Sequence, residues 1–243
     1  MSTLSPSSQA TPTKPSLPID LLPIDLARLV SQAHPALLLA AYYIRFPVLV
    51  ADPVSTLLQT LLPVAAIQVV YAVICLPAVG SNAKPALVKK AKLNASKKGA
   101  EPSQVTGKAF TAIFSLLLSL LTTLPLFALQ ILFGAPVTSH LPHTALSSAH
   151  ISLLALFPLF YVHGTSASKW REIVSIYSPI DEVFGGSLGA LLGAWLGAVP
   201  IPLDWDRAWQ AWPITVVTGA YIGYGVGKMV GGWLLRGKRV EFE

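Results

Sequence analysis

Long apolar stretches separated by short polar segments constrain this chain more than any other feature. Of its 243 residues, 53% are hydrophobic and 12% are charged, whereas soluble domains carry about 25% charged residues. A helix needs about 20 mostly apolar residues to cross the hydrocarbon of a bilayer. The sequence therefore predicts an all-α, polytopic transmembrane helix bundle with about six spans.

The predicted spans follow the apolar stretches, and they cover residues 29–50, 54–79, 109–133, 146–163, 183–199 and 213–235. The first span is the weakest because His34, Pro35, Arg45 and Pro47 interrupt it. The preceding residues 1–28 are rich in Ser, Thr and Pro and lack the apolar core of a signal peptide. They are predicted to form a disordered cytosolic tail.

Lysine and arginine residues lie almost entirely on one side of the predicted bundle. Fourteen of the 17 fall in the tail, around the loop 80–107, in the segment 167–178 and at the C-terminus. Because basic loops stay on the cytosolic side of a membrane, both termini are predicted to be cytosolic. The loop 80–107 is then a basic cytosolic loop.

A short amphipathic segment, residues 167–178, follows the fourth predicted span. Its apolar residues recur at the spacing of one helical face, and they are Trp170, Ile173, Val174 and Tyr177. This pattern predicts a short helix in the membrane interface. The helix should end at Ser178-Pro179, because the residue before a proline disfavours helical geometry.

Two ladders of glycine mark the fifth and sixth spans. Glycine recurs at every fourth residue in both spans, at Gly185, Gly189, Gly193, Gly197, and at Gly219, Gly223, Gly227, Gly231. In a bilayer such residues let helix backbones approach closely and gain van der Waals contact. The ladders either face each other in a hairpin, or at least one of them packs against a transmembrane helix of a partner subunit. We favour mutual packing for one ladder and leave the other open.

The loop between the ladders combines tryptophan with charge in Asp204, Trp205, Asp206, Arg207, Trp209 and Trp212. Tryptophans beside a membrane boundary predict a lumenal interfacial loop. In an alternative interpretation, Asp204 and Asp206 bind a metal together with His140 and His143. Two carboxylates on one short loop rarely suffice for a metal, so we prefer a hydrogen-bonded turn. No catalytic residue, metal site or cofactor is predicted.

Several titratable residues fall within the predicted spans. Arg45 and Lys228 lie near enough to an interface for their charges to snorkel out of the hydrocarbon. Asp52 could pair with Arg45 if the first helix is regular beyond its prolines. His150 and His163 are expected to be hydrogen-bonded within the bundle.

The segment from Tyr177 to Ala198 closely resembles the PIG-F family of glycosylphosphatidylinositol (GPI) anchor biosynthesis. The string Pro202-Leu203-Asp204-Trp205-Asp206-Arg207 and the following Trp212-Pro213-Ile214 strengthen the match. The resemblance covers residues 153–232, while the first half agrees only in the number and length of its spans. The lysine-rich loop and the Ser/Thr/Pro tail are similar to those of fungal members.

The resemblance implies a non-catalytic accessory subunit in the endoplasmic reticulum membrane. It would bind and stabilise the large multi-span ethanolamine-phosphate transferases that modify GPI mannoses, chiefly the third and also the second. Membrane lipid and GPI intermediates are the ligands that this role allows, and nucleic acid is not among them.

Two alternatives remain open from the sequence. One is a membrane enzyme that acts directly on a lipid-linked substrate, with Asp204, Asp206 and the lumenal histidines in its site. The other is a small transporter whose path includes Arg45 and Lys228. The six spans show no evident internal repeat of the kind common in transporters.

Overall fold

The structure, a computed structural model, describes residues 16–81, 102–203 and 205–240. Every regular element in these ranges is helical, which confirms the all-α class. The helices are α1 (Asp25–Ala51), α2 (Pro53–Cys75), α3 (Pro102–Leu132), α4 (Leu141–Ala155), α5 (Phe157–His163), α6 (Ala167–Val174), α7 (Glu182–Gly197) and α8 (Ile214–Met229). Short 3-10 turns lie at Ile201–Leu203 and Ala208–Gln210, and a π turn at Val230–Leu234 extends α8.

Four helical segments in the described ranges are long and apolar enough to cross a membrane. They are α1, α2, Thr106–Leu132 within α3, and Glu182–Leu203, which contains α7. The pair α4–α5, bent by 40°, is a fifth if it counts as one broken span. Pro158 explains the bend because it lacks the N–H that a continuous helix requires. The sixth predicted span corresponds to α8, which has only 16 residues before its π turn. The count of six and the cytosolic termini stay predictions.

Helix α4 lies at the centre of the bundle, in contact with α2, α3, α7 and α8. All its residues from Ser147 to Ala155 are buried. Its serines bond to α3: Ser152 Oγ lies 2.8 Å from Thr122 Oγ1, and Gln130 Nε2 donates to Ser148 Oγ at 2.6 Å. Small polar residues suit this position because they allow close helix approach and hydrogen bonds between helices in a bilayer.

The segment before α1 is structured, so the prediction of a disordered tail over residues 1–28 is wrong for its last part. Residues 1–15 lie outside the described residues, but the Ile19 N–H donates to the Asp181 carboxylate at 2.9 Å. Helix α1 begins at Asp25. Apolar side chains of the segment before α1 explain its order, because three of them pack against the core: Ile19, Leu21 and Leu22.

Two other boundaries differ from the predicted ones. Residues 82–101 of the basic loop lie outside the described residues, and α3 begins at Pro102, seven residues before the predicted span. Helix α4 begins at Leu141 rather than at residue 146. Pro142 accounts for this early start, because proline is favoured in the first turn of a helix.

Helix α6 is shorter than the predicted interfacial helix over residues 167–178. It ends at Val174, because Ile176 adopts a left-handed conformation with φ 61° and the Tyr177 N–H bonds back to the Glu172 carbonyl at 2.9 Å. Such a left-handed residue closes a helix C-terminus. Of the apolar stripe, Ile173 is buried, whereas Val174 is 78% exposed.

Candidate functional site: a glycine-packed hairpin and a buried ion pair

Helices α7 and α8 form an antiparallel hairpin in which backbone contacts backbone. Along it Gly185 lies against Gly227 and Gly231, Gly189 against Gly223 and Gly227, Gly193 against Gly219 and Gly223, and Gly197 against Thr215. A Cβ atom on Gly193 would lie 2.9 Å from the Cα atom of Gly223. Carbon atoms in contact are about 3.5–4.0 Å apart, so not even a methyl group fits between the helices.

Both glycine ladders therefore face each other. The sequence favoured this arrangement for one ladder and left the other open, and the structure assigns both ladders to the hairpin seam. A role of these glycines in packing against a partner subunit stays a prediction. Any such partner helix has to approach the seam from its outer side, since the close contacts between the ladders are made within this chain.

The outer side of the seam is a groove of about 610 Å³, here called the seam groove. Ladder glycines form its floor, and aliphatic side chains of both helices form its walls: Leu188, Leu192, Leu196, Ile222 and Val226. Leu192 and Ile222 are 59% and 52% exposed. The opposite face of the hairpin is buried against the bundle, as Ala190, Ala220 and Tyr224 show. The hairpin thus presents one concave apolar face outward.

A buried ion pair joins the start of α7 to the end of α8. Lys228 Nζ lies 2.7 Å from Glu182 Oε1, and their side chains are 3% and 11% exposed. The prediction that Lys228 snorkels toward an interface is therefore wrong. The tight hairpin is the reason, because it places Lys228 on the inner face of α8, where Tyr221 and Tyr224 are also buried.

Helices α1 and α2 complete the surroundings of this ion pair. Glu182 Oε1 accepts hydrogen bonds from Ser31 Oγ and, at 2.8 Å, from Tyr71 Oη. Lys228 Nζ lies 3.4 Å from the centroid of the Tyr71 ring and 3.5 Å from His34 Nδ1. The five residues Ser31, His34, Tyr71, Glu182 and Lys228 are called the Glu182 cluster. Its charges are paired and hydrogen-bonded, which is the condition for burying charge.

Glu182 was not predicted from the sequence as a partner of Lys228, although a signal was present. An antiparallel hairpin brings the first turn of one helix beside the last turn of the other, and Glu182 and Lys228 occupy those turns. Asp181 fixes the first turn of α7, because its carboxylate accepts the N–H groups of Val183 and Phe184 at 2.9 Å. Burial raises the pKa of Asp181, and these backbone hydrogen bonds offset part of that rise.

The predicted lumenal loop is divided between exposed and buried residues. Asp204 lies outside the described residues, whereas Trp205, Asp206, Arg207 and Trp209 are exposed. Trp212 is half-buried and donates from Nε1 to Thr144 Oγ1 at 3.1 Å, which ties the loop to α4.

Gln210, which was not among the predicted site residues, holds the two ends of this loop together. It is 7% exposed; its Nε2 donates to the Pro200 carbonyl, and its Oε1 accepts the Trp205 N–H at 3.2 Å. The side-chain hydrogen bonds of Gln210 thus stabilise the turn that was preferred for this loop. Between Asp206 and Arg207, both described, no ion pair forms.

The residues of the alternative metal site do not come together in the described part of the chain, which does not include Asp204. The His140 and His143 rings lie 4.9 Å apart, but no group of three or more His, Cys, Asp or Glu residues with metal-binding geometry occurs among the described residues. His150 is hydrogen-bonded inside the bundle as expected, to Tyr221 Oη at 2.8 Å and to the Leu57 carbonyl at 3.0 Å.

Arg45 is half-buried between α1 and α2 and donates from Nη2 to Gln59 Oε1 at 2.6 Å. The ion pair between Arg45 and Asp52 that the sequence allowed does not form, although α1 is regular through Pro47 to Ala51. Asp52 instead caps α2 by accepting the Ser55 N–H at 3.2 Å, an N-cap role that aspartate favours.

Comparison with known proteins identifies several relatives. A protein from Neurospora crassa called glycosylphosphatidylinositol anchor biosynthesis protein 11 is 45% identical over 222 residues, which cover 91% of this chain and 80% of that protein. The protein of the same name from Pyricularia oryzae is 49% identical over 213 residues, 85% of this chain and 77% of that protein.

A Schizosaccharomyces pombe protein called PIGF/3-ketodihydrosphingosine reductase fusion protein is 36% identical over 129 residues, 52% of this chain and 24% of that protein. No solved structure matches this chain. The model of the GPI biosynthesis protein family Pig-F matches residues 33–232. This match begins in α1 and so extends well beyond residues 153–232, which carry the motifs of the resemblance. The chain belongs to the GPI biosynthesis protein family Pig-F.

Proposed function

We propose that this chain is a non-catalytic subunit of GPI-anchor biosynthesis whose seam groove binds a transmembrane helix of a catalytic ethanolamine-phosphate transferase. The site of action is the endoplasmic reticulum membrane, where the chain stabilises the catalytic subunit. The observation that carries the proposal is the seam groove, an outward-facing concave surface with a backbone floor. The seam glycines keep this floor low between the two walls.

The physical basis of such docking is van der Waals contact. Exposed leucines by themselves are ordinary on a helix that faces lipid, since lipid tails are as apolar as leucine. A glycine floor between aliphatic walls differs from an ordinary surface, because a third helix can sit close to two backbones at once. Lipid tails are mobile and fill such a groove less completely than a fixed helix does.

The polar groups that the structure brings together support a non-catalytic role. Glu182 and Lys228 neutralise each other inside the bundle and are nearly inaccessible. His150 is 1% exposed, and both of its ring nitrogens are hydrogen-bonded. A general acid or base has to reach a substrate proton within hydrogen-bonding distance, and these groups are committed to contacts within the chain.

Filling the seam groove tests the proposal. We expect Leu192→Trp and Ile222→Trp to lower co-purification of the transferase subunit about tenfold or more, as substitutions at the centre of an interface do. Abundance and thermal melting of the isolated chain should stay unchanged, because both side chains point away from the bundle. Leu120→Trp is the matched control, since Leu120 is 62% exposed on α3, outside the seam groove.

Two results would contradict this function. Full co-purification of Leu192→Trp together with Ile222→Trp would exclude the seam groove as the docking surface. Transfer of phosphoethanolamine to a mannosylated GPI acceptor by the purified chain alone would establish the enzyme alternative and remove the non-catalytic role.

A further inference from the structure

A second cavity, distinct from the seam groove, lies between α1 and α2. Its volume is about 380 Å³, within the range of about 300–1,000 Å³ typical of ligand pockets. We call it the Arg45 cavity. Buried side chains of α4 and α8, His150 and Tyr221, line its base, while the half-buried Arg45 and the exposed Gln59 line its rim.

No carboxylate of a described residue neutralises the charge of Arg45. No carboxylate is among the residues that line the cavity, and Arg45 forms no ion pair within the described residues. Its one hydrogen bond to a described residue goes to Gln59. A guanidinium carries five N–H donors in a planar fork that suits carboxylate or phosphate oxygens, so most of these donors remain available to a ligand.

The base of the cavity is polar, but its polar groups are already hydrogen-bonded within the chain. His150 Nε2 lies 3.0 Å from the Leu57 carbonyl and must donate to it, so Nδ1 accepts from Tyr221 Oη at 2.8 Å. One group in the lining is unsatisfied: Thr56 is 2% exposed, and its Oγ1 has no hydrogen-bond partner among the described residues. A buried hydroxyl without a partner is unusual, and this one belongs to a residue that lines the cavity.

The depth of Arg45 fits the phosphate level of a leaflet. Helix α1 has 27 residues and is therefore about 40 Å long, longer than the hydrocarbon core of about 30 Å. Arg45 lies within the last two turns of α1, and Gln59 lies within the first two turns of α2. With α1 centred in the hydrocarbon, both side chains lie close to one edge of it, which is the predicted lumenal edge.

We propose that the Arg45 cavity binds an anionic phospholipid, with its phosphodiester on Arg45 and an acyl chain along the apolar wall. Apolar side chains form one part of the lining, with Leu49, Leu57, Pro63 and Val64. A cation at the mouth of a cavity with an apolar wall, at the depth of a headgroup, matches a lipid phosphate rather than a soluble anion. Arg45 thereby gains the anionic partner that the described residues do not supply. This site goes beyond the proposed function and does not depend on it.

Lipid binding by the purified full chain in detergent micelles tests the site. With phosphatidylinositol as the probe, native mass spectrometry should show a retained lipid, and Arg45→Gln should weaken retention about tenfold or more, as expected for loss of a charge-assisted hydrogen bond. Ala41→Phe, which fills the cavity but keeps the charge, should also abolish retention. Arg28→Gln is the matched control, because it removes one exposed charge near the other end of α1. Co-purification of the transferase subunit should be unaffected by all three substitutions.

Three outcomes would overturn the site. Unchanged phosphatidylinositol retention in Arg45→Gln excludes the phosphate contact. Equal retention of diacylglycerol with the same chains shows that the phosphate is not recognised. If inorganic phosphate protects the chain against thermal unfolding as well as phosphatidylinositol does, the site binds a free anion instead of a lipid. If Arg45→Gln does not fold, Ala41→Phe decides alone, because retention at the wild-type level in that variant excludes the cavity.

Discussion

Gly223→Ala is expected to lower the melting temperature of the purified chain by several degrees, whereas Gly225→Ala, two residues away in α8, should leave it unchanged or raise it slightly. A methyl group on Gly223 would meet the Gly193 Cα atom at 2.9 Å, and the carbonyl carbon of Gly189 also lies 2.9 Å away. The backbone of α7 cannot move aside without separating the hairpin. A methyl group on Gly225 would meet only the Leu39 Cδ1 atom at 3.4 Å and the Pro35 Cβ atom at 3.7 Å, which are ordinary contacts.

The size of the expected fall in melting temperature follows from the cost of overpacking, which is about 1–3 kcal/mol. In a domain of 150–250 residues, 1 kcal/mol shifts the melting temperature by about 2–4 °C. Gly193→Ala should behave like Gly223→Ala, because the two positions face each other across the seam. Thermal melting followed by size-exclusion chromatography in detergent measures the difference. Equal melting of Gly223→Ala and Gly225→Ala would show that the helices are not in backbone contact.

The hairpin was predictable because its determinants are local. A four-residue spacing of glycine on two successive helices marks the surfaces that meet, and the short loop 198–213 leaves the helices antiparallel. Which side of the seam faces outward was not predictable, since Leu192 on the outer face and Ala190 on the inner face are both apolar. Only the packing of α1, α2 and α4 decides which face is covered.

Lys228 shows where sequence reasoning fails in a membrane protein. Its depth along α8 suggested snorkelling, but burial depends on rotation about the helix axis, which depth does not specify. The spacing of Tyr221, Tyr224 and Lys228 indicates one face, and the structure buries that face. The partner Glu182 lies 46 positions earlier in the chain, so only the assembled hairpin brings the two charges together.

The segment before α1 gives a second example. The Ser/Thr/Pro composition of residues 1–28 is dominated by its first part, and this composition concealed the apolar residues near its end. Ile19 and Leu22 pack at the base of the bundle, and the Leu22 N–H donates to the Cys75 carbonyl at 2.8 Å. A few apolar residues beside a helix start are a weak pattern in isolation, and their partners come from distant helices.

Lys228→Met is expected to be among the most destabilising single substitutions in the chain. It leaves the carboxylate of Glu182 buried without its cation, and breaking a buried ion pair in this way costs about 3–5 kcal/mol. The melting temperature should fall by about 10 °C, and the abundance of the chain in cells should fall with it. Lys169→Met is the matched control, because the Lys169–Glu172 pair is 3.6 Å apart with side chains 36% and 33% exposed. An exposed pair contributes about 0–1 kcal/mol.

The double substitution Glu182→Gln with Lys228→Met separates the contribution of the ion pair from that of the other contacts of Lys228. A neutral amide at position 182 can still accept hydrogen bonds from Ser31 and Tyr71, and no buried charge is left, so replacement of the whole pair should recover most of the loss. A double variant as unstable as Lys228→Met would show that other contacts of Lys228, such as its ammonium over the Tyr71 ring, stabilise this end of the hairpin. A Lys228→Met variant that melts like the wild type would mean that the ion pair does not form, because no buried carboxylate would then be left uncompensated.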